Sequence, residues 1–300
     1  MKVNLQLLNF FKFWIKIFTY ATKTIIQKNE SFSTLKPLIL KISNEFTRIV
    51  SSLIPKIPDF ESFAFDQQLL SVLLTSHFKT QMTTVIESTT KQESIRYAQF
   101  LSHFILPYQL ELSSLDYSPN VTTGLYLQCV KRQNGHPADY MMQFPRPVTW
   151  LRLPERQIFC TNSESGTFDV KSKADFILAN ILENKDPEVK KTISRFKAIH
   201  RVEEVTIPAP WVVAVVATII QTPKISRNLV CEQFLGNLIR MAVVLVAYVK
   251  EKMITNNTLS KEHTNEIQKM LKLVGSEDFS LVIAVANLFD EDIFKKFKRN

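Results

Sequence analysis

Between Phe144 and Phe159 the chain reads FPRPVTWLRLPERQIF, which sets Arg146, Arg152 and Arg156 among Phe144, Trp150 and Phe159. A guanidinium pairs with a phosphate through two parallel hydrogen bonds, and an aromatic ring offers a flat face on which a base stacks. With Tyr140, Lys131 and Arg132 close by in sequence, this is the chemistry that single-stranded RNA requires, whereas duplex readers more often present a basic helix to a groove. A second basic group, Lys190, Lys191, Arg195, Lys197 and Arg201, extends the candidate RNA surface. If VTWLRL is a strand, Trp150 and Arg152 share one face. The same residues admit a purely structural reading, in which Trp150 and Phe159 are core and the arginines pair with Asp139, Glu155 or Glu164.

Catalytic chemistry is poorly represented. Pro137, Asp139, Asp169 and Lys171 imitate the pattern of a metal-dependent nuclease, but the halves are about thirty residues apart and neither sits on a convincing strand. No nucleophile elbow, phosphate loop or zinc-protease helix is present. Cys129, Cys160 and Cys231 are odd in number and widely spaced, which fits a reducing compartment and gives no zinc pattern. The expectation is a non-enzyme without metal or cofactor, located in the cytoplasm.

Charge is concentrated. The formal net charge is +9, yet residues 1–29 carry +5, residues 121–160 carry +3 and residues 185–201 carry +4, leaving the remainder slightly acidic. Such confinement favours a polyanionic partner, nucleic acid or an anionic membrane surface. An apolar content of 45% with 22% charged residues is that of a folded chain. Only five glycines occur, which argues against doubly wound nucleotide folds and small barrels, whose tight turns use glycine.

The elements that must position these residues read mostly as helix. Residues 4–27 place Asn9, Lys12, Lys16 and Lys23 on one narrow stripe, with Phe10, Phe11, Trp14, Ile15 and Phe18 around the rest. This segment is a core helix, an arm docking on a neighbouring subunit, or an interfacial membrane or targeting helix. Residues 33–55, 61–88 and 91–106 follow with helical spacing. From 107 to 165 the period is lost, and LYLQCV, VTWLRL and QIFCT are short strand candidates, the last two a hairpin through Pro154-Glu155-Arg156. A helix over 187–201 opens at Asp186-Pro187-Glu188. PAPWVVAVVATIIQTP, residues 208–223, is apolar all round but too short to cross a bilayer, so it is expected to be a buried central helix; a longer one covers 224–254, and two more close the chain.

The fold expected is therefore mainly α, with two helical lobes, a short irregular or β-containing centre and an N-terminal helical arm. Its parts are 1–29 (arm), 30–120 (first lobe), 121–166 (basic centre) and 167–300 (second lobe with the basic tail FKKFKRN). This order resembles the nucleoproteins of segmented negative-strand, bunyavirus-like RNA viruses, and TLSKEHTNEIQKMLKLVG, residues 258–275, is similar in form to their short terminal helices. The resemblance implies two lobes clamping single-stranded RNA in a basic cleft. It also implies self-association along the RNA through the arm residues Phe10, Phe11, Trp14, Ile15 and Phe18, in virion and host cytoplasm. A competing reading is a peripheral membrane-associated viral structural or movement protein that anchors through Phe10–Phe18 and nearby lysines.

Overall fold

The structure, a computed structural model, describes residues 66–144, 146–163, 200–255, 259–273 and 275–290, together with Ile293 and Phe297. The arm residues and Lys190, Lys191, Arg195 and Lys197 lie outside the described residues.

In chain order the elements are α1 (Gln67–Lys79), β1 (Thr84–Ser88), α2 (Lys91–Ser102), α3 (Pro107–Glu111), β2 (Ser114–Ser118), β3 (Leu127–Lys131), α4 (Pro137–Met141), β4 (Thr149–Arg152), β5 (Gln157–Ser163), β6 (His200–Glu204), α5 (Pro210–Gln221), α6 (Arg227–Thr255), α7 (Lys261–Met270) and α8 (Ser276–Ala286). The strands form one six-stranded sheet in the order β2-β3-β1-β4-β5-β6. β2, β3, β1 and β4 run parallel, β5 is antiparallel to them, and β6, antiparallel to β5, runs in their direction again. This mixed sheet with helices makes the fold α/β and corrects the expectation of a mainly α, two-lobed protein.

The helical stripe expected over 61–88 shows why the expectation failed. Asp66 caps α1 by accepting from the Leu69 amide at 3.0 Å, and every residue from Leu69 to Phe78 is buried. The helix then stops without glycine or proline. Gln81 and Met82 adopt left-handed backbone, φ 55° and 62°, and the Met82 amide returns to the His77 carbonyl at 2.8 Å. β1, TVIES, is buried at all five positions, so it has no alternating pattern by which a strand is recognised. Arg156 and Lys272 also turn the chain at positive φ, which is how few glycines and a wound sheet coexist here.

Each face of the sheet has its own core. Ile86, Cys129, Leu151 and Ile158 join a large cluster with residues of α1, α2, α5, α6 and α8. Val85, Val130, Trp150 and Phe159 face the other way and pack with Met141 of α4 and with Phe144. Phe78, Phe104 and Phe234 meet edge to face at centroid distances of 5.7–6.3 Å and tie α1 to α6. α6 is long and apolar enough to cross a membrane by length and composition, but here Cys231, Leu238, Ala242, Leu245 and Val249 are buried in the shared core. α5 departs from the buried central helix expected. Its fully buried residues are Val212, Val216 and Ile219, one stripe only.

Candidate functional site at the carboxyl edge of the sheet

β1, β3 and β4 end side by side because they are parallel, so Ser88, Lys131 and Arg152 sit on one edge. From β1 the chain leaves through α2 on one face, and from β3 it crosses through α4 on the other to reach β4. That divergence makes a crevice at the carboxyl end of β1, the place where open α/β sheets bind ligands.

Glu87 is the centre of this edge. It is fully buried, and it lies on the same sheet face as Trp150 and Arg152 because the parallel register sets Val85 beside Trp150 and Glu87 beside Arg152. Its Oε2 accepts from Trp150 Nε1 at 2.6 Å and from Arg152 Nε at 3.1 Å, while Oε1 accepts from the Gln133 amide at 3.1 Å. Three donors around one buried carboxylate are the condition under which an ion tolerates burial. Arg152 Nη2 reaches on to the Gly135 carbonyl at 2.6 Å, and the Arg132 amide donates to the Ser88 carbonyl at 3.1 Å. Gly135 turns with φ 144°, a conformation that side-chain-bearing residues rarely adopt. Tyr140 stacks on Trp150 with centroids 5.6 Å apart. Residues 131–136, KRQNGH, are thus tied over the carboxyl ends of β1 and β4 by the chain itself.

Two of the remaining arginines also pair with carboxylates. Arg132 pairs with Glu155, and Arg156 pairs with Asp66 across to the start of α1. Arg146 lies 3.8 Å from the Tyr126 ring centroid and contacts the Gly124 carbonyl at 3.4 Å. Trp150 is 0% exposed and offers no face to a base. Lys131 and Arg201 are exposed, the first on β3 and the second on β6 beside β5. Of the sequence candidates, then, Lys131, Arg132, Trp150, Arg152 and Arg156 are brought to one edge, while Arg146 sits elsewhere, over the β2–β3 crossover. Glu87 escaped the sequence reading; its one signal was an acid directly after the apolar pair Val85-Ile86.

A second polar cluster lies where α1 meets the amino ends of β1 and β4. Thr149 Oγ1 is 2.7 Å from both Ser76 Oγ and Thr80 Oγ1, and His77 Nδ1 is 2.8 Å from Thr84 Oγ1. All are buried. Burial pushes the His77 pKa down to about 3, opposed in part by the Phe104 carbonyl, so the imidazole is neutral at physiological pH. Burial also pushes the Cys160 thiol up to about 11 and Cys129 up to about 12, which leaves both protonated and poor nucleophiles. Among the described residues no group of three His, Cys, Asp or Glu side chains is placed to hold a metal ion.

A model of the C9orf72-like protein family matches residues 1–165, from the N-terminus through β5. The chain belongs to the C9orf72-like protein family. This match overturns the resemblance to bunyavirus-like nucleoproteins, and with it the reading of a viral, virion-borne nucleocapsid protein coating single-stranded RNA. The geometry supplies the physical reason for the correction: Arg132, Arg152, Arg156 and Trp150, which resembled an RNA site, are engaged in building the carboxyl edge of the sheet. No curated protein matches the chain in sequence.

Proposed function

We propose that this chain is a non-enzymatic protein-binding module of the cytoplasm, and that the carboxyl edge of the sheet is the surface it presents to a protein partner. One observation carries the reading. The carboxyl edge, where α/β sheets take small ligands, is overlain by the chain's own 131–136 segment, which is anchored through the buried Glu87 to Trp150, Arg152 and Gln133. What remains on the outside is a rigid ledge. Lys131, Arg132, Asn134, Gly135 and His136 are exposed beside the 154–156 turn, with Arg132 neutralised by Glu155 and Arg156 by Asp66. A rigid surface of mixed charge suits a protein partner, since little ordering entropy is lost on binding and charge pattern sets specificity. The free thiols of Cys129, Cys160 and Cys231 accord with a reducing compartment.

The test is a tagged full-length chain purified from its native cells beside a Lys131→Glu/Asn134→Arg variant. Both positions are exposed, so thermal stability should be unchanged. A stoichiometric partner held by the parent chain and lost by the variant supports the reading. A partner set that the variant retains in full overturns it.

A further inference from the structure

Asn134-Gly135 is the one Asn-Gly pair in the sequence, and the fold leaves it chemically open. Asn134 is exposed, and its carboxamide makes no hydrogen bond among the described residues. The Gly135 amide, also exposed, donates to no described group. The two backbone carbonyls are engaged instead: Tyr140 Oη donates to the Asn134 carbonyl at 3.3 Å and Arg152 Nη2 to the Gly135 carbonyl at 2.6 Å. The main chain is thus held on both sides of the Gly135 nitrogen, while the carboxamide just before it is free to turn onto it. Gly135, at φ 144°, has no Cβ to shield that nitrogen. Other exposed asparagines differ. Asn120 precedes the β-branched Val121, and Asn237 and Asn265 lie inside α6 and α7, where the next amide is hydrogen-bonded along the helix.

We propose that Asn134 is a self-modification site, at which the folded chain converts its own neutral carboxamide to a carboxylate by deamidation. The Gly135 nitrogen gives its proton to solvent and attacks Cγ of Asn134. As the new N–Cγ bond closes a five-membered succinimide, the Cγ–Nδ2 bond breaks and Nδ2 leaves as ammonia. Water then opens the ring. Hydrolysis of the bond to Cγ yields aspartate, and hydrolysis of the bond to the former Asn134 carbonyl carbon yields isoaspartate, whose main chain runs through Cβ and Cγ. No electrons are transferred, and water is the only co-reactant. Either product adds one negative charge to the strap that carries Lys131 and Arg132. Isoaspartate also lengthens a segment pinned at Gln133 and Gly135. A consequence for binding rests on the reading of this ledge as a partner surface: the new carboxylate offsets Lys131 and weakens the contact.

The folded full-length chain, held at neutral and at mildly alkaline pH and sampled over days, is read by isoelectric focusing and peptide mass mapping. The expected result is a gain of one negative charge and one mass unit confined to the peptide that holds Asn134, divided between aspartate and isoaspartate. The change is faster at the higher pH, because the attacking nitrogen must lose its proton. Asn134→Gln, whose longer side chain closes the ring poorly, keeps the starting charge. An Asn134 that retains its mass in the folded chain overturns the proposal, as does a charge shift that survives Asn134→Gln or one carried by Asn120. Asn134→Asp supplies one product directly, and a partner held by the parent chain is expected to be lost by this variant. A partner that Asn134→Asp holds as tightly as its parent overturns the consequence for binding. Failure of the surface reading itself, judged by the Lys131→Glu/Asn134→Arg variant, leaves the charge and mass readout untouched.

Discussion

At the scale of single residues, two arginines of similar sequence context have opposite roles in stability. Arg152 is 15% exposed in its side chain and serves a carboxylate that is fully buried. Removing it by Arg152→Ala strands Glu87 and is expected to cost about 3–5 kcal/mol. Arg156 is 60% exposed and its partner Asp66 is 33% exposed. Arg156→Ala is expected to cost less than about 1 kcal/mol. Urea unfolding of the two variants measures the contrast, and equal losses would show that Glu87 is not the anchor. His77 provides a pH dependence. Its pKa is about 3 in the folded chain against 6.5 for the free side chain, so below 6.5 the unfolded state binds a proton that the native state refuses. The stability tied to His77 is complete above pH 6.5 and is lost as pH falls toward 3, at about 1.4 kcal/mol per pH unit. His77→Gln, which keeps an acceptor for Thr84, is expected to remove one proton's worth of that slope from a series of urea unfolding curves between neutral pH and about pH 5.

At the scale of elements, the informative feature is the turn between α1 and β1. Helical periodicity in sequence persists through it because Met82, Val85 and Ile86 continue an apolar spacing that either element accommodates. The break is conformational, carried by left-handed Gln81 and Met82. Gln81 is partly exposed, and its carbonyl, which accepts from Gln109 Nε2 at 3.1 Å, survives any side-chain change. Gln81→Gly therefore relieves the left-handed strain without loss of a contact made by its backbone, and a gain of about 1 kcal/mol is expected. Gln81→Pro cannot adopt positive φ and is expected to unfold the chain or lower its midpoint sharply. If the glycine variant is less stable than its parent, the turn does not have this geometry.

At the scale of the whole molecule, one sheet takes strands from residues 84–163 and from 200–204, and α5 and α8 of the second half pack on α1, which itself lies against β4 and β5. β1 is paired on both sides and buried at every position, whereas β2 and β6 are the outer strands of the described sheet. Amide exchange should therefore be slowest in β1 and β4 and faster in β2 and β6. Fast exchange across 84–88 would be incompatible with this topology.

Local chemistry alone was enough to write the helices near 91–106, 224–254, 260–274 and 278–289, and the hairpin through Pro154-Glu155-Arg156, which became β4 and β5. The concentration of arginine and tryptophan at 144–159 was legible too, and so was the alternative that Trp150 and Phe159 are core with Glu155 as an ion partner. Choosing between the two took the folded chain. Whether a guanidinium faces solvent or a buried carboxylate depends on what lies across the sheet, and Glu87 is sixty-five residues from Arg152 along the chain. β1 was hidden for the same reason: TVIES is buried on both faces, and its polar Thr84, Glu87 and Ser88 interrupt any alternation because their partners are contributed by other elements of the fold.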